Sequence, residues 1–245
     1  IQGGNTGLVG GSIPPPSCQQ PVCLLTTTGL HRNDEVDAIS GAVVVGAGVT
    51  LSRVHEEAVR AGWRFGVDLA ARDSATVGGM VATNAGGIRV CAYGMMRENV
   101  TGVEVALSDG SIVSNIDRPH KNNVGLAIPS LAIGSEGILC LVTTARLKLM
   151  RPPGPSTLMA IPVDSARAAV DVLADVTRSG AGLLAAEYVD RRTLKRVLDY
   201  SGLPQLLSTD PPLTLFLEVA GLDFTWQPDG RALVAQDAAS QRTLW

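Results

Sequence analysis

Aromatic residues are scarce in this 245-residue chain: three each of Phe, Tyr and Trp, 4% in all. Its core must therefore be built mainly from Val, Leu, Ile and Ala. Histidine is as scarce, with only His31, His55 and His120. No His-x-x-His or comparable cluster marks a metal site. Each histidine sits among polar neighbours, where it reads as a surface residue rather than a base. The four cysteines, Cys18, Cys23, Cys91 and Cys140, form no Cys-x-x-Cys pair. That excludes a zinc spacing and suits buried or idle thiols in a reducing cytoplasm. No run of eighteen or more apolar residues is present, so no membrane-spanning helix is expected. Basic clusters are missing too, and the net charge of −3 argues against nucleic acid as a partner. With 45% hydrophobic and 18% charged residues, the chain nevertheless has what a packed core requires.

Glycine is plentiful, and it clusters. The block from Asp68 to Gly87 passes from charged and hydroxyl groups into very small side chains, with Gly78-Gly79 and Gly86-Gly87 bracketing an apolar run that ends in Thr83 and Asn84. Paired glycines let the backbone reach positive φ and let a flat or anionic ligand approach main-chain N–H groups. Thr83 and Asn84 add short hydrogen-bonding arms. A second loop, residues 2–12, places four glycines among its first nine positions, interleaved with Asn5, Thr6 and Ser12. Consecutive N–H groups in such a loop form a concavity for phosphate oxygens. No Gly-Lys-Ser/Thr follows, so it is not a P-loop, and its glycine spacing is not that of the Rossmann turn. Gly46-Ala-Gly48 also invites that comparison, but the third glycine would fall at Leu51, and a plain strand-to-helix turn is the better reading.

Hydrophobic periodicity places strands at 22–27 and 43–46, then a helix capped by Thr50, with Leu51, Val54, Ala58 and Ala61 on one face and Gly62 as its end. A hairpin turns on Ser108-Asp109-Gly110 between strands at 103–107 and 112–114. Residues 116–129 are loop-like, and 141–149 alternates as a strand. Arg151-Pro-Pro-Gly-Pro155 breaks any regular element and marks the domain boundary. Beyond it the pattern is a helix capped by Asp164 and closed by Gly180, a strand at 183–189, a helix at 191–200, a strand at 213–220, and the start of a helix at 238–245. Helices layered on a sheet suit an α+β fold.

Five stretches together carry a resemblance: residues 3–11, the block 68–87, Tyr93-Gly94, Val103 to Gly110, and Ile133 to Leu139 with Val142-Thr143. Residues 1–150 are similar to the FAD-binding (PCMH-type) domain of the vanillyl-alcohol-oxidase family of flavoproteins, particularly its D-lactate, glycolate and D-2-hydroxyglutarate dehydrogenase branch. The resemblance implies two α/β subdomains in residues 1–150, with the N-terminal part missing. It also implies the first part of an α+β substrate cap in residues 151–245, with the C-terminal part missing. Residues implied to line FAD are Gly3, Gly4, Asn5, Thr6 and Gly7 in the first loop. In the second block they are Asp68, Ser74, Gly78, Gly79, Thr83, Asn84, Gly86 and Gly87. Tyr93, Gly94, Glu136, Gly137, Ile138, Val142 and Thr143 complete the set.

Some relatives tether flavin through a His in the first glycine-rich loop; this chain reads Gly3-Gly-Asn-Thr6 there, so noncovalent FAD is expected. The implied activity is oxidation of a D-2-hydroxy acid by hydride transfer to flavin N5. Its metal-assisted chemistry would rest on a divalent ion held beyond residue 245, which leaves the catalytic residues unnamed. The electron acceptor (O2, quinone or protein) stays open, and so does a homodimer. An alcohol or alditol oxidase using O2, and a flavin-binding subunit without turnover, are the alternatives. Ala92 and the stretch Lys121 to Leu126 depart from the usual pattern, which leaves the substrate open. Arg89 reads as one half of a surface ion pair.

Overall fold

The computed structural model describes residues 1–117, 119, 121–221 and 233–235. It divides into two compact units, Ile1–Pro152 and Pro153–Trp245. No helix among the described residues is long and apolar enough to cross a membrane.

The first unit is built on an antiparallel sheet in the order β1 (Ala42–Gly46), β5 (Leu141–Met150), β3 (Val100–Ala106), β4 (Ile112–Ser114), with β2 (Arg64–Phe65) pairing the end of β5. The alternation expected at 141–149 is broadly seen in the burial of β5, while β1 is buried almost throughout. Val45, Val103, Ala145 and Leu147 are fully inaccessible, and the register sets Val43 against Leu147 and Val45 against Ala145. Phe65 is the one aromatic residue in this core, the rest being aliphatic side chains and methionine. Helix α1 (Leu51–Arg60) follows the sequence closely. Thr50 Oγ1 accepts a bond from the Arg53 N–H, Leu51, Val54 and Ala58 face the core, and Gly62 leaves the helix at φ +75°.

Four short helices complete the unit: α2 (Val77–Thr83), α3 (Val90–Tyr93), α4 (Met96–Asn99) and α5 (Ile128–Ala132). Two expectations change here. Residues 22–27 are not a buried strand. Only Thr26 makes a bridge, a parallel one to Gln2, and Val22, Leu24 and Leu25 are about half exposed. An apolar run makes a strand only where another strand lies alongside. The Gly78-Gly79 pair is not a positive-φ turn either. Both residues are helical, and Gly78 is needed for close approach, because a Cβ there would come within 2.6 Å of the Ala47 Cβ.

The second unit is an antiparallel sheet in the order β7 (Gly182–Asp190), β8 (Leu213–Ala220), β6 (Ser156–Val163), β9 (Leu233–Ala235). Helix α6 (Ala166–Arg178) packs Ala169 and Val176 against Met159, Ile161, Leu215 and Leu217 on one face. Leu194 of helix α7 (Arg191–Ser201) and Leu207 cover Leu158, Ala160 and Phe216 on the other. Burial on both faces explains why β8 is mostly apolar rather than alternating, although it also buries Thr214 and Glu218. The cap of α6 is Ser165, not Asp164: its side chain accepts from the Ala168 N–H. Asp190 caps α7 in the same way through Thr193. The helix expected at 238–245 lies outside the described residues.

Candidate functional site

The two glycine-rich stretches meet. Gln2 anchors the first loop: its N–H donates to Leu25 O at 2.8 Å, and its carbonyl accepts from Thr27 N–H at 2.9 Å. Ser12 Oγ donates to Asn5 Oδ1 at 2.7 Å, and Gln2 Nε2 donates to Ser12 O at 3.0 Å, closing the loop on itself. Asn5 takes a left-handed backbone, φ +52°. The loop then lies on the entry to α2 so tightly that a Cβ on Gly4 would overlap the Ser74 carbonyl. Among the described residues the backbone N–H groups of residues 3–12 take no protein acceptor. They remain available as donors, which an anion-binding loop requires.

Loop, helix α2 and the turn at 134–137 enclose a cavity of ≈ 370 Å³, within the usual range for small-molecule sites. Eleven of the residues implied from sequence stand in its wall: Gly3, Gly4, Asn5, Thr6 and Gly7, then Gly78, Gly79 and Thr83, then Glu136, Gly137 and Val142. The first loop contributes main chain and small polar side chains, with Ile1 and Val9 beside them, and Leu69, Met80, Ala82, Ala85 and Leu141 make much of the remaining wall apolar. Glu136 is the one charged side chain in it, and it too has a left-handed backbone, φ +51°. Cys140 lines the wall as a half-buried thiol. Burial pushes its pKa up, outweighing the lowering contact with Ser135, so it stays protonated.

Nine implied residues stand elsewhere. Asp68 is buried behind the wall, where its Oδ2 accepts from Arg72 at 2.8 Å and from Arg89 at 3.1 Å. Arg89 is therefore no surface pair: its side chain is only 12% exposed. Gly87 is pressed against the Asp68 main chain at φ +154°, where any Cβ would collide with the carbonyl. Gly86 abuts Val90, and Gly94 abuts Glu98. Ser74 is exposed and supports the loop through its carbonyl. Tyr93 lies under Arg64, with the guanidinium 5.6 Å from its ring centroid, and its carbonyl accepts from Asn99. Thr143 donates its hydroxyl to Glu104. Ile138 is exposed beyond the turn. Asn84 ends α2 in a left-handed cap, its Oδ1 accepting from the Arg97 N–H at 2.9 Å. Thr83 turns its hydroxyl back to Gly79 O at 2.9 Å.

Sequence reasoning missed Thr76, Met80 and Ala82, which share the cavity wall with Gly79 and Thr83. Helical spacing of three to four residues links them. Taking 78–87 as loop concealed it. Thr76 sits at the N-cap of α2 without making a cap bond, and its Oγ1 is buried against Gly3 with no partner among the described residues. Of the histidines, His31 is exposed and His120 lies outside the described residues. His55 is not a surface residue. It is mostly buried, with Nε2 3.1 Å from the Val67 carbonyl and 3.6 Å from Asp68. Burial, aided by Arg72 and Arg64, holds its pKa below the usual value despite the nearby Asp68.

A dinucleotide cofactor fits these residues. The glycine loop offers neutral donors for its phosphates and the apolar part of the wall offers a dry surface for its ring. At Gly7 and Gly11 a side chain would meet no protein atom within 4 Å, and neither has a positive φ. Both stand in the cavity wall, where the absence of side chains leaves the main chain open to a bound ligand.

Fold and cavity together define a dinucleotide-binding unit followed by a separate antiparallel α+β unit. Residues 1–115 match the family described as FAD binding domain, and residues 153–245 match FAD linked oxidases, C-terminal domain. The chain belongs to this family of FAD-linked oxidases, and FAD is its cofactor. It is similar to the D-lactate dehydrogenase of Archaeoglobus fulgidus, 35% identical over 80% of this chain and 42% of that protein. It is similar also to the D-2-hydroxyglutarate dehydrogenase of Xanthomonas citri, 32% identical over 99% of this chain and 53% of that one. The mitochondrial D-2-hydroxyglutarate dehydrogenase of Bos taurus is 34% identical over 90% and 40%. Among solved structures, alkyldihydroxyacetonephosphate synthase matches with a TM-score of 0.67 at 20% identity, covering 90% of this chain and 42% of that one. That likeness concerns the fold. The chain spans about half the length of the curated relatives it matches.

Proposed function

We propose that the protein is an FAD-dependent dehydrogenase of a D-2-hydroxy acid of the lactate, glycolate or 2-hydroxyglutarate kind. The observation that carries the reading is the cavity, lined by a glycine loop with unpaired backbone donors and by apolar side chains, in a chain similar to relatives named for those activities. Bound FAD supplies the two-electron acceptor. Residues 3–12 hold its phosphates through main-chain N–H groups, with no Lys or Arg in the cavity wall. Leu69, Met80, Ala82, Ala85 and Leu141 exclude water from the apolar part of the wall. In this reading residues 1–150 hold the flavin and residues 151–245 begin the substrate cap. The flavin is noncovalent, since residues 3–7 contain no nucleophilic ring or thiol. The four cysteines, three of them exposed, suit a reducing compartment. The cytoplasm is the simplest, although relatives such as the Bos taurus enzyme are mitochondrial.

The test is an anaerobic visible spectrum of the purified protein, with D-lactate, D-2-hydroxyglutarate and glycolate added in turn. Bleaching by one of them is expected and names the substrate. A flavin band that none of them bleaches sinks the hydroxy-acid assignment, and steady peroxide production in air with an alcohol moves the reading to an oxidase.

A further inference from the structure

We infer that Arg97 is a positioning residue that fastens the turn at 134–137 to helix α2 and so holds two walls of the FAD cavity in register. The inference rests on the cofactor reading above. Helix α4, which carries Arg97, is docked on the end of α2 by its main chain: Met96 N–H donates to Ala85 O at 2.9 Å, and Arg97 N–H donates to Asn84 Oδ1 at 2.9 Å. The guanidinium then reaches the segment leading into the turn, where Nη1 donates to Ser130 O at 3.3 Å and Nη2 to Ile133 O at 2.8 Å. One residue thus ties the end of α2 to the segment leading into the turn, two elements that contribute to the cavity wall, without standing in that wall itself.

The turn it grips needs such a tie. Gly134, Glu136 and Gly137 have φ of +80°, +51° and +80°, and the left-handed region is unfavourable for a residue with a side chain, here Glu136. Such a conformation persists where its surroundings over-determine it. Two bonds come from the turn itself, Gly134 N–H to Val81 O at 3.0 Å and Glu136 N–H to Ala82 O at 2.8 Å. Arg97 secures its start, where a Cβ on Gly134 would lie 3.4 Å from Nη2. A planar fork can reach two carbonyls at once, which an ammonium on a flexible stem does poorly.

The test compares the native protein with Arg97→Met, Arg97→Lys and Asn84→Gly, measuring the FAD release rate and the thermal midpoint of the apoprotein for each. Asn84→Gly keeps the left-handed backbone and removes only the Oδ1 acceptor. Release about tenfold faster in Arg97→Met, a smaller increase in Arg97→Lys and Asn84→Gly, and apoprotein midpoints close to native support the inference. Native release rates in Arg97→Met overturn it. Should Arg97→Met fail to fold, native release from Asn84→Gly overturns it as well. If the native protein itself retains no FAD, it is the cofactor reading that fails.

Discussion

The two units solve different problems with similar materials. In the second, every strand pairs antiparallel, both sheet faces are covered by aliphatic side chains, and the two helices carry conventional side-chain caps at Ser165 and Asp190. In the first, the sheet is equally regular, but the cavity is built from elements too short to stand alone: a seven-residue helix, backed by a four-residue one, and loops pressed together where no side chain fits. One unit is held mainly by burial. The other is held by burial beneath and by polar ties between its short segments, among them the buried Asp68 with Arg89, Asn84 with Arg97, and Gln2 with Leu25 and Thr27. Ligand-binding segments come from the less self-sufficient part of a structure, where main-chain donors stay free for the ligand.

That contrast can be broken from either side. The largest effect belongs to the second unit. Leu217→Ala, at a fully inaccessible position, is expected to cost about 3 kcal/mol in urea unfolding and to leave FAD affinity unchanged. A matching loss of affinity would erase the distinction. In the first unit, Asp68→Asn removes the anion between Arg72 and Arg89. A loss of about 2–3 kcal/mol is expected, less than for a fully buried pair because Arg72 is half exposed; calorimetry checks it.

Acid should weaken the same region. The folded state holds the His55 pKa below its unfolded value. As pH falls through the unfolded pKa, near 6.5, the unfolded chain therefore binds more protons and stability declines, reaching a new level below the folded pKa. His55→Gln should flatten the slope of melting temperature between about pH 7 and pH 5; an unchanged slope contradicts the assignment. Gly7→Ala leaves the apoprotein within about 0.5 kcal/mol of native and weakens FAD binding about tenfold, read by titration. The smallest effect is at Arg167→Ala, whose pair with Asp171 is mostly exposed, and no change beyond measurement error is expected in either stability or flavin content.

The regular elements were legible because their periodicity is local. Thr50, Leu51, Val54 and Gly62 describe α1 without reference to anything distant, and β8 shows its two-sided burial in a mostly apolar segment broken only by Thr214 and Glu218. The glycine loop at 3–12 was legible through its chemistry. Helix α2 was not, since two consecutive glycines carry poor helix propensity, and only the close fit of Gly78 against Ala47 overrides it. Residues 22–27 failed for the opposite reason, an apolar run with no adjacent strand to bury it. Asp68 and Arg89, twenty-one positions apart, form their pair through tertiary packing that spacing does not reveal. Arg97 is invisible to motif reading because it bonds to carbonyl oxygens, which every residue has.

The central claim is that FAD lies in the cavity between the first loop, helix α2 and the turn at 134–137. Amide hydrogen exchange of the protein with and without FAD tests it most directly. The account expects FAD-dependent protection in residues 3–12, 78–84 and 134–138, and none in the strands of the second unit at 156–163 and 213–220. Protection confined to the second unit, or absent from residues 3–12 while FAD is bound, would contradict it.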